Sequence, residues 1–253
     1  MANSQQRFLD QDESATGTWI SIGHPAVAEI CSQGYDFVVI DLEHTAMSLE
    51  TLENMLRAVD RDVAPIVRVP TNDPVWIKRV LDLGVAGLMI PRVETREQAE
   101  HAVEAMQYPP NGDRGVAPAR ASEYGRTFGE YYKHADDELT TILQIETELG
   151  ASNAAEIVSV DGVDAVIVGH GDLSASLDVF GQWESETFES TLESIVTTVH
   201  DAGKQVGMLA TDDESIERWT GAGIDFLIAG ADIAYLAEGS DMAREKHETL
   251  TEE

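Results

Sequence analysis

Short apolar runs alternate along the chain with longer segments in which apolar residues recur at a helical spacing. The short runs are rich in Val, Ile and Leu, as buried strands are. We predict eight strands, at Thr18–Ile22, Phe37–Asp41, Pro65–Val69, Gly87–Ile90, Thr141–Glu146, Ala165–Gly169, Gln205–Leu209 and Phe226–Gly230. Apolar residues at three- and four-residue spacing predict helices at Leu49–Val59, Pro74–Leu83, Glu94–Met106, Ala151–Val158, Thr187–Ala202 and Asp213–Ala222.

This alternation predicts parallel βαβ units, and eight of them predict a closed (β/α)8 TIM barrel, a single α/β domain. Ser48 and Asp73 are capping residues at the starts of two predicted helices. An open, doubly wound sheet is the alternative, but it usually has a glycine-rich first turn, which Gly17 and Gly23 do not form. We place the barrel at residues 17–253, after a polar segment, 1–16, that is loose or a short helix.

One connection, residues 107–140, is longer than the others. It contains the turn-forming stretch 108–115, with Tyr108, Pro109 and Pro110 at its start. Long ordered connections in compact domains are usually functional. A solvent-exposed excursion explains the sequence equally well.

The charge balance is extreme. The 253 residues carry 47 acids against 16 bases, a net charge of -31, while 43% of the residues are hydrophobic. The apolar runs exclude a disordered acidic protein. Such a surface repels itself in dilute salt and tolerates concentrated salt, so we predict a protein of an extreme halophile. Nucleic acid and anionic membranes are excluded as partners, because few bases are present to neutralise phosphates.

Three features bear on location. Cys31 is the sole cysteine, so a disulfide within the chain is excluded. No run approaches the roughly 18 apolar residues of a membrane span. The first residues are not followed by an apolar segment, so we find no signal peptide. We expect a cytoplasmic protein.

Two carboxylates stand where neighbouring predicted strands end. Glu146 follows the apolar run at 141–143, and Asp172 follows the run at 165–168. The carboxyl ends of parallel strands meet at one rim, and paired carboxylates there commonly hold a divalent cation. The alternative is that they are an acid and a cap at helix N-termini.

The predicted rim carries further polar groups. His44 follows the second strand, Arg68 lies in the third, Gln144 lies in the fifth, and we place Asp82 at the start of the fourth βα unit. An imidazole, a guanidinium, an amide and carboxylates suit proton transfer beside a polarised carbonyl. Each has a simpler explanation: His44 as a structural histidine, Asp82 as a solvated acid, and Arg68 as the partner of a structural acid such as Asp41.

Lysine placement bears on the mechanism. A Schiff-base aldolase needs a lysine directed at the substrate. The four lysines, at 78, 133, 204 and 246, do not end a predicted strand. The sequence therefore favours a metal-dependent reaction. His24 and His170 also lie near strand ends, where we interpret them as supporting or loop residues.

Five motifs occur in order and at fitting spacing between about Thr18 and Ala237. They are 40–44 (IDLEH), Arg68-Val69 with 72–74 (NDP), 108–115 (YPPNGDRG), 144–147 (QIET) and 171–174 (GDLS). Together they resemble the HpcH/HpaI aldolase family, the metal-dependent aldolases of 4-hydroxy-2-oxoheptane-1,7-dioate and of 2-keto-3-deoxy sugar acids.

The resemblance implies a (β/α)8 barrel, a divalent ion (Mg²⁺, Mn²⁺ or Co²⁺), reversible cleavage to pyruvate and an aldehyde, and a homo-oligomer, suggested as a hexamer. It assigns the metal to Glu146 and Asp172. It assigns substrate binding to Arg68, Gln144, Gly171 and Asp172, the N–H groups of the last two included. It assigns catalysis to His44, to Asp82, which raises the basicity of His44, and to Arg68, which stabilises the enolate.

This chain departs from the family at His170-Gly171, where proline and alanine are frequent. The difference affects the shape of the pocket and therefore which aldehyde it accepts. Two alternatives stay open. One is a CoA-ester lyase of the citrate lyase or malyl-CoA lyase type, which would have to grip a large anionic cofactor with few bases. The other is a catalytically silent barrel subunit.

Overall fold

Eight parallel strands close into a barrel in the order β1 to β8, as predicted. The computed structural model describes residues 8–10 and 14–251. The strands are β1 Thr16–Ile20, β2 Phe37–Asp41, β3 Ala64–Arg68, β4 Gly87–Ile90, β5 Thr140–Ile145, β6 Ala165–Val168, β7 Gln205–Ala210 and β8 Phe226–Ala231. In register, Asp41 of β2 lies opposite Arg68 of β3, and Ile145 of β5 opposite Val168 of β6.

Helices follow the strands around the outside of the barrel. They are α1 Pro25–Cys31, α2 Leu49–Leu56, α3 Pro74–Leu81, α4 Arg96–Met106, α5 Phe128–Glu138, α6 Glu148–Ser152, α7 Ala154–Val158, α8 His170–Ser176, α9 Glu186–Asp201, α10 Asp213–Gly221 and α11 Asp232–Thr251. In the described part of the chain, no helix is both long and apolar enough to cross a bilayer.

The first strand differs from its prediction. It begins at Thr16 and ends at Ile20, two residues earlier than expected at both ends. The N–H groups of Ser21 and Ile22 donate to the carboxylate of Asp232 instead of continuing the ladder. Of the predicted N-terminal segment, residues 1–7 and 11–13 lie outside the described residues, and Phe8–Asp10 is a short 3-10 helix.

Four helices were absent from the prediction: α1, α5, α8 and α11. The long connection contains α5 and a 3-10 helix at Arg120–Gly125, so it is not a plain loop. The predicted helix at 151–158 is two short helices that meet at Asn153. α1 and α8 are short and α11 is weakly amphipathic, so these three helices give little periodic signal, whereas α5 lies inside the connection that we interpreted as a loop.

Aromatic side chains close the amino-terminal end of the barrel. Phe8 stacks on Phe37 with ring centroids 4.4 Å apart, and Phe226 meets both rings edge-on at 5.9 Å. Glycines opposite Phe37 and Phe226 on the adjoining strands, β1 and β7, make room for these rings. A Cβ on Gly17 would lie 2.4 Å from Phe37, and one on Gly207 would lie 2.1 Å from Phe226.

The last helix, α11, leaves the barrel. Asp232 at its start is buried, whereas residues 235–251 are exposed along their whole length. Its large apolar side chains are therefore exposed, including Ile233, Leu236, Met242 and Leu250. On the outward face of β8, Leu227 and Ala229 are only partly covered.

We predict that Gly207→Ala destabilises the barrel by about 1–3 kcal/mol, the usual effect of overpacking a core. The new methyl would overlap the ring of Phe226, which has no free space to move into. The control is Gly129→Ala in α5, where a Cβ meets nothing within 4 Å. There we expect a gain of up to about 1 kcal/mol from helix propensity. Denaturant unfolding of both variants measures the difference, and equal stabilities would contradict it.

Candidate active site

All but one of the predicted rim residues lie in or directly against a cavity of about 680 Å³ at the carboxyl ends of the strands. His44, Arg68, Gln144, Gly171 and Asp172 all line it. The sixth, Glu146, lies directly against the lining: its Oε2 accepts a hydrogen bond from the amide nitrogen of Gln144. This is the end of the barrel at which active sites of the fold are found.

Arg68 is held by two acids. Its Nε and Nη2 donate to the two carboxylate oxygens of Asp41 at 2.8 and 2.9 Å, and its Nη1 lies 3.1 Å from Oε2 of Glu43. Both Arg68 and Asp41 are buried. A bidentate pair fixes the plane of a guanidinium as well as its position. Asp41 is therefore the structural partner that the sequence left as an alternative.

Trp19 forms the other support of Arg68, and sequence reasoning missed it. The guanidinium carbon lies 4.5 Å from the centroid of the indole ring, a cation–π geometry. Trp19 is an apolar residue in a predicted strand, so its sequence gives no signal beyond core packing.

Asp41 also shapes the loop that carries the predicted base. Its Oδ1 accepts from the backbone N–H of Glu43 at 2.9 Å, and its Oδ2 from that of His44 at 3.4 Å. The side chain of His44 is 69% exposed, with Nε2 3.8 Å from Oε2 of Glu43. The imidazole thus stands at the mouth of the cavity, next to a carboxylate.

Glu146 is buried under Gly169 at the start of α8. A Cβ at Gly169 would lie 2.8 Å from Oε2 of Glu146 and 2.9 Å from Nε2 of Gln144, so a side chain there would displace both. Oε1 of Gln144 is buried without a hydrogen-bond partner. An unused acceptor beside a buried carboxylate is suited to bind a positively charged or proton-donating group.

The carboxylates of the site repel one another. Burial first, then Asp172 and Glu43, raise the pKa of Glu146 to about 7, although Arg68 and the amide of Gln144 oppose the shift. Burial likewise raises the pKa of Glu43, against the opposing charge of Arg68. The site therefore has an excess of negative charge that a bound cation would offset.

Gly171 and Asp172 lie in the first turn of α8, whose N-cap residue, Gly169, offers no side-chain acceptor to the N–H groups there. A Cβ at Gly171 would meet nothing within 4 Å, so the backbone is open to the cavity at this point. In residues 8–10 and 14–251, no cluster of three or more His, Cys, Asp or Glu side chains is arranged to hold a metal. The acidic pair of Glu146 and Asp172 thus lacks a third protein ligand of these types.

The placement of Asp82 on this rim was wrong. Asp82 caps the carboxyl end of α3 and precedes β4, so it lies at the amino-terminal end of the barrel. Its Oδ1 accepts from Nη2 of the buried Arg114 at 3.1 Å. A contact with His44 does not occur within one chain, and the predicted effect of Asp82 on His44 stays a prediction.

Two further residues contribute to the site: Asp232, which the sequence did not indicate, and His170, whose position near a strand end suggested a supporting or loop role. The buried carboxylate of Asp232 holds the N–H groups of Ser21 and Ile22, and Ser21 lines the cavity. His170 also lines the cavity and packs edge-on against Trp183, with centroids 5.1 Å apart. Burial lowers the pKa of His170.

We predict that Glu146 makes the metal-free protein lose stability as pH rises. Its folded pKa of about 7 exceeds the roughly 4.3 of an unfolded chain. The stabilisation from this proton is fully present below the pKa of Glu146 in the unfolded chain. It is lost as pH rises through the pKa of Glu146 in the folded protein. Unfolding of wild type and Glu146→Gln with a chelator, between pH 5 and 8 at fixed salt, should show wild type losing more stability. Parallel curves would contradict the shift.

Comparison with known proteins agrees with this geometry. The model of the family described as HpcH/HpaI aldolase/citrate lyase matches residues 15–238. A 4-hydroxy-2-oxovalerate aldolase of Novosphingobium aromaticivorans is 39% identical over 242 residues, covering 94% of this chain and 92% of that protein. A hydroxypyruvate/pyruvate aldolase of Roseobacter denitrificans is 38% identical over 238 residues, covering 92% of this chain and 93% of that protein.

A solved structure extends the likeness to nearly the whole chain. A protein from Burkholderia cenocepacia J2315, described as a HpcH/HpaI aldolase/citrate lyase family protein, superposes with a TM-score of 0.91 at 32% identity. The match covers 98% of this chain and 100% of that one.

Proposed function

Because the chain belongs to the HpcH/HpaI aldolase/citrate lyase family, we propose that it cleaves a 4-hydroxy-2-oxo acid reversibly to pyruvate and an aldehyde, with a divalent metal ion. It is a carbon–carbon lyase of the aldolase type. The observation that carries the substrate proposal is the meeting of Glu146, Asp172 and the fixed guanidinium of Arg68 in one cavity. The carboxylate and the 2-oxo oxygen of a 2-oxo acid need positive charge beside them. Arg68 and a cation held by Glu146 and Asp172 would supply that charge.

The residues present fit a hard divalent cation. Glu146 and Asp172 supply oxygen ligands, the unpartnered Oε1 of Gln144 is a third oxygen nearby, and the raised pKa of Glu146 reports repulsion that a cation would offset. Magnesium, manganese and cobalt all accept such oxygen donors together with water and substrate. When bound, the ion would polarise the 2-oxo group of the substrate.

The residues of the chain have separate roles in the proposed reaction. His44 takes the proton from the 4-hydroxyl group, the electron pair of that O–H bond forms the aldehyde carbonyl, and the C3–C4 bond breaks. Its electrons pass into the 2-oxo group to give the enolate of pyruvate. Arg68 stabilises the developing negative charge, and the N–H groups of Gly171 and Asp172 hold the substrate. Proton return to C3 completes pyruvate.

We predict that removing metal abolishes turnover and that Mn²⁺, Co²⁺ or Mg²⁺ restores it. Two protein carboxylates leave open coordination positions, so the ion should exchange with a chelator. Pyruvate release from 4-hydroxy-2-oxovalerate and exchange of the pyruvate methyl protons in D₂O both measure the effect by NMR. Full activity of the metal-stripped protein in both assays would refute the metal-dependent mechanism.

We predict different defects in His44→Ala and Arg68→Ala. Loss of the base should lower kcat for cleavage by roughly 10²–10⁴-fold and leave pyruvate binding nearly unchanged. Loss of Arg68 should lower kcat and also raise KM. The reason is that, in the proposed mechanism, the guanidinium contacts the pyruvate part of the substrate in the ground state and in the transition state. His134→Ala and Arg96→Ala, at exposed positions on α5 and α4, serve as controls. Near-normal cleavage by both active-site variants would mean that the site is misplaced.

We also propose that the chain forms a homo-oligomer, and the family resemblance suggests a hexamer. The support is α11, because a 20-residue helix exposed along most of its length has few contacts to stabilise it. Its apolar residues Ile233, Leu236 and Leu250 gain cover only against another surface. A second copy of this chain supplies one.

Finally, we propose that folding and assembly require molar salt, as the net charge of -31 suggests. The screening length is roughly 30 Å at 0.01 M salt and roughly 3 Å at 1 M. Acids across the whole surface therefore repel one another only in dilute salt. Circular dichroism and sedimentation across a KCl series should show oligomers dissociating before the barrel unfolds. A protein that stays assembled and folded at about 20 mM salt, where the screening length is roughly 20 Å, would refute this proposal.

A further inference from the structure

The cavity has two chemically different sides. The first carries Arg68, Gln144 and Asp172, which are assigned above to the substrate and the metal ion, together with Asp41, which holds Arg68. The second is formed by the ends of β7 and β8 and by the first turn of α11, and its lining residues are neutral: Leu209, Thr211, Ala231, Ile233 and Ala234. With pyruvate on the first side, the second side is the part of the cavity that would receive the carbon chain of the aldehyde.

The positive charge in the cavity is already paired with acidic side chains. Among the lining residues that the structure describes, Arg68 is the one Arg or Lys. Two of its nitrogens donate to Asp41, and the third lies 3.1 Å from Glu43. The carboxylate and the enolate oxygen of pyruvate draw on this guanidinium and on the proposed metal ion. No cation is left in the lining for a second substrate carboxylate.

The surroundings of the neutral side are acidic. Thr211 in the lining is followed directly by Asp212, Asp213 and Glu214, which are exposed at the start of α10. Their field opposes the approach of an anion from this side. A carboxylate that entered would also find no cationic side chain among the neutral lining residues on this side.

We propose that this aldolase takes uncharged aldehydes and discriminates against aldehydes that carry a carboxylate. The inference rests on the proposed function and adds the substrate class of its second product. A site discriminates most strongly when the wrong substrate leaves a charged group unpaired.

Arg92 is the alternative residue for binding a carboxylate of the aldehyde. It ends the β4 region with a positive φ of 52°, and its side chain is 71% exposed, with Nε 3.7 Å from Oε1 of Glu94. It lines a separate cavity, which it shares with Pro70 and Gln98. A role for Arg92 would have to reach across Glu43, whose negative charge lies between the two cavities.

The test compares two acceptors of equal size in the condensation with pyruvate. Succinic semialdehyde carries a carboxylate, and 4-oxobutanamide replaces that group with a neutral amide. We expect kcat/KM to be about tenfold or more higher for the amide. Raising KCl should narrow the ratio, because salt screens the repulsion. A ratio near one, or one that favours the carboxylate, would overturn the proposal.

Variants locate the effect. Ala234→Lys places a cation on the neutral side and should shift the ratio at least about fivefold towards succinic semialdehyde, while Ala234→Met, of similar length and without charge, should not. Arg92→Ala should leave the wild-type ratio unchanged. A preference for the semialdehyde that disappears in Arg92→Ala would identify Arg92 as the anchor and overturn the proposal.

Exchange of the pyruvate methyl protons in D₂O separates the two levels of inference, because it needs no aldehyde. Exchange together with a preference for the carboxylated acceptor refutes the aldehyde class and leaves the proposed function standing. Absence of exchange in the metal-loaded protein refutes the proposed function, and this inference falls with it.

Discussion

A single carboxylate, that of Asp41, organises the catalytic end of the barrel. It lies opposite Arg68 in the register of β2 and β3 and binds that guanidinium through both oxygens. The same oxygens accept the backbone N–H groups of Glu43 and His44. Because a buried guanidinium requires an anion and a buried carboxylate requires donors, each stabilises the other. The positions of the proposed enolate-stabilising cation and of the proposed base therefore depend on one side chain.

The second constraint is the surplus of negative charge beside that pair. Glu146, Asp172 and Glu43 lie close enough to interact, and burial removes the water that would otherwise screen them. In a protein with a net charge of -31, distant residues add to this potential and do not relieve it. The arrangement favours cations in one half of the cavity and disfavours anions without a partner in the other half. The proposed metal binding and the proposed acceptor choice thus share one electrostatic origin.

The barrel and most of the rim could be predicted from the sequence, because periodicity locates strands and parallel strands bring their carboxyl ends together. Arg68 ends β3, Glu146 follows β5 and Asp172 lies just after β6, and the structure brings the three side chains close together. The predicted placement of Asp82 was wrong, because Asp82 precedes β4 and the chain must cross the whole barrel before it reaches the rim.

Other residues carry no such local signal. Trp19 is an apolar residue in a buried strand, and only the three-dimensional packing shows that its ring supports a guanidinium. Asp232 is separated from its partner Ser21 by 211 positions, and an acid at a helix start is already explained as a favourable first-turn residue. The exposure of α11 is a property of the whole chain's packing, which no window of sequence contains.

Asp232 and its neighbours also connect the surface of the molecule to its chemistry. Asp232 holds the backbone after β1 through Ser21 and Ile22, while the next two residues, Ile233 and Ala234, form part of the neutral side of the cavity. These residues are the first turn of the helix that leaves the barrel. A partner surface on α11, as proposed, would therefore act on the side of the cavity that is proposed to meet the aldehyde. The proposed assembly and the proposed acceptor choice would therefore be linked through three consecutive residues, Asp232 to Ala234.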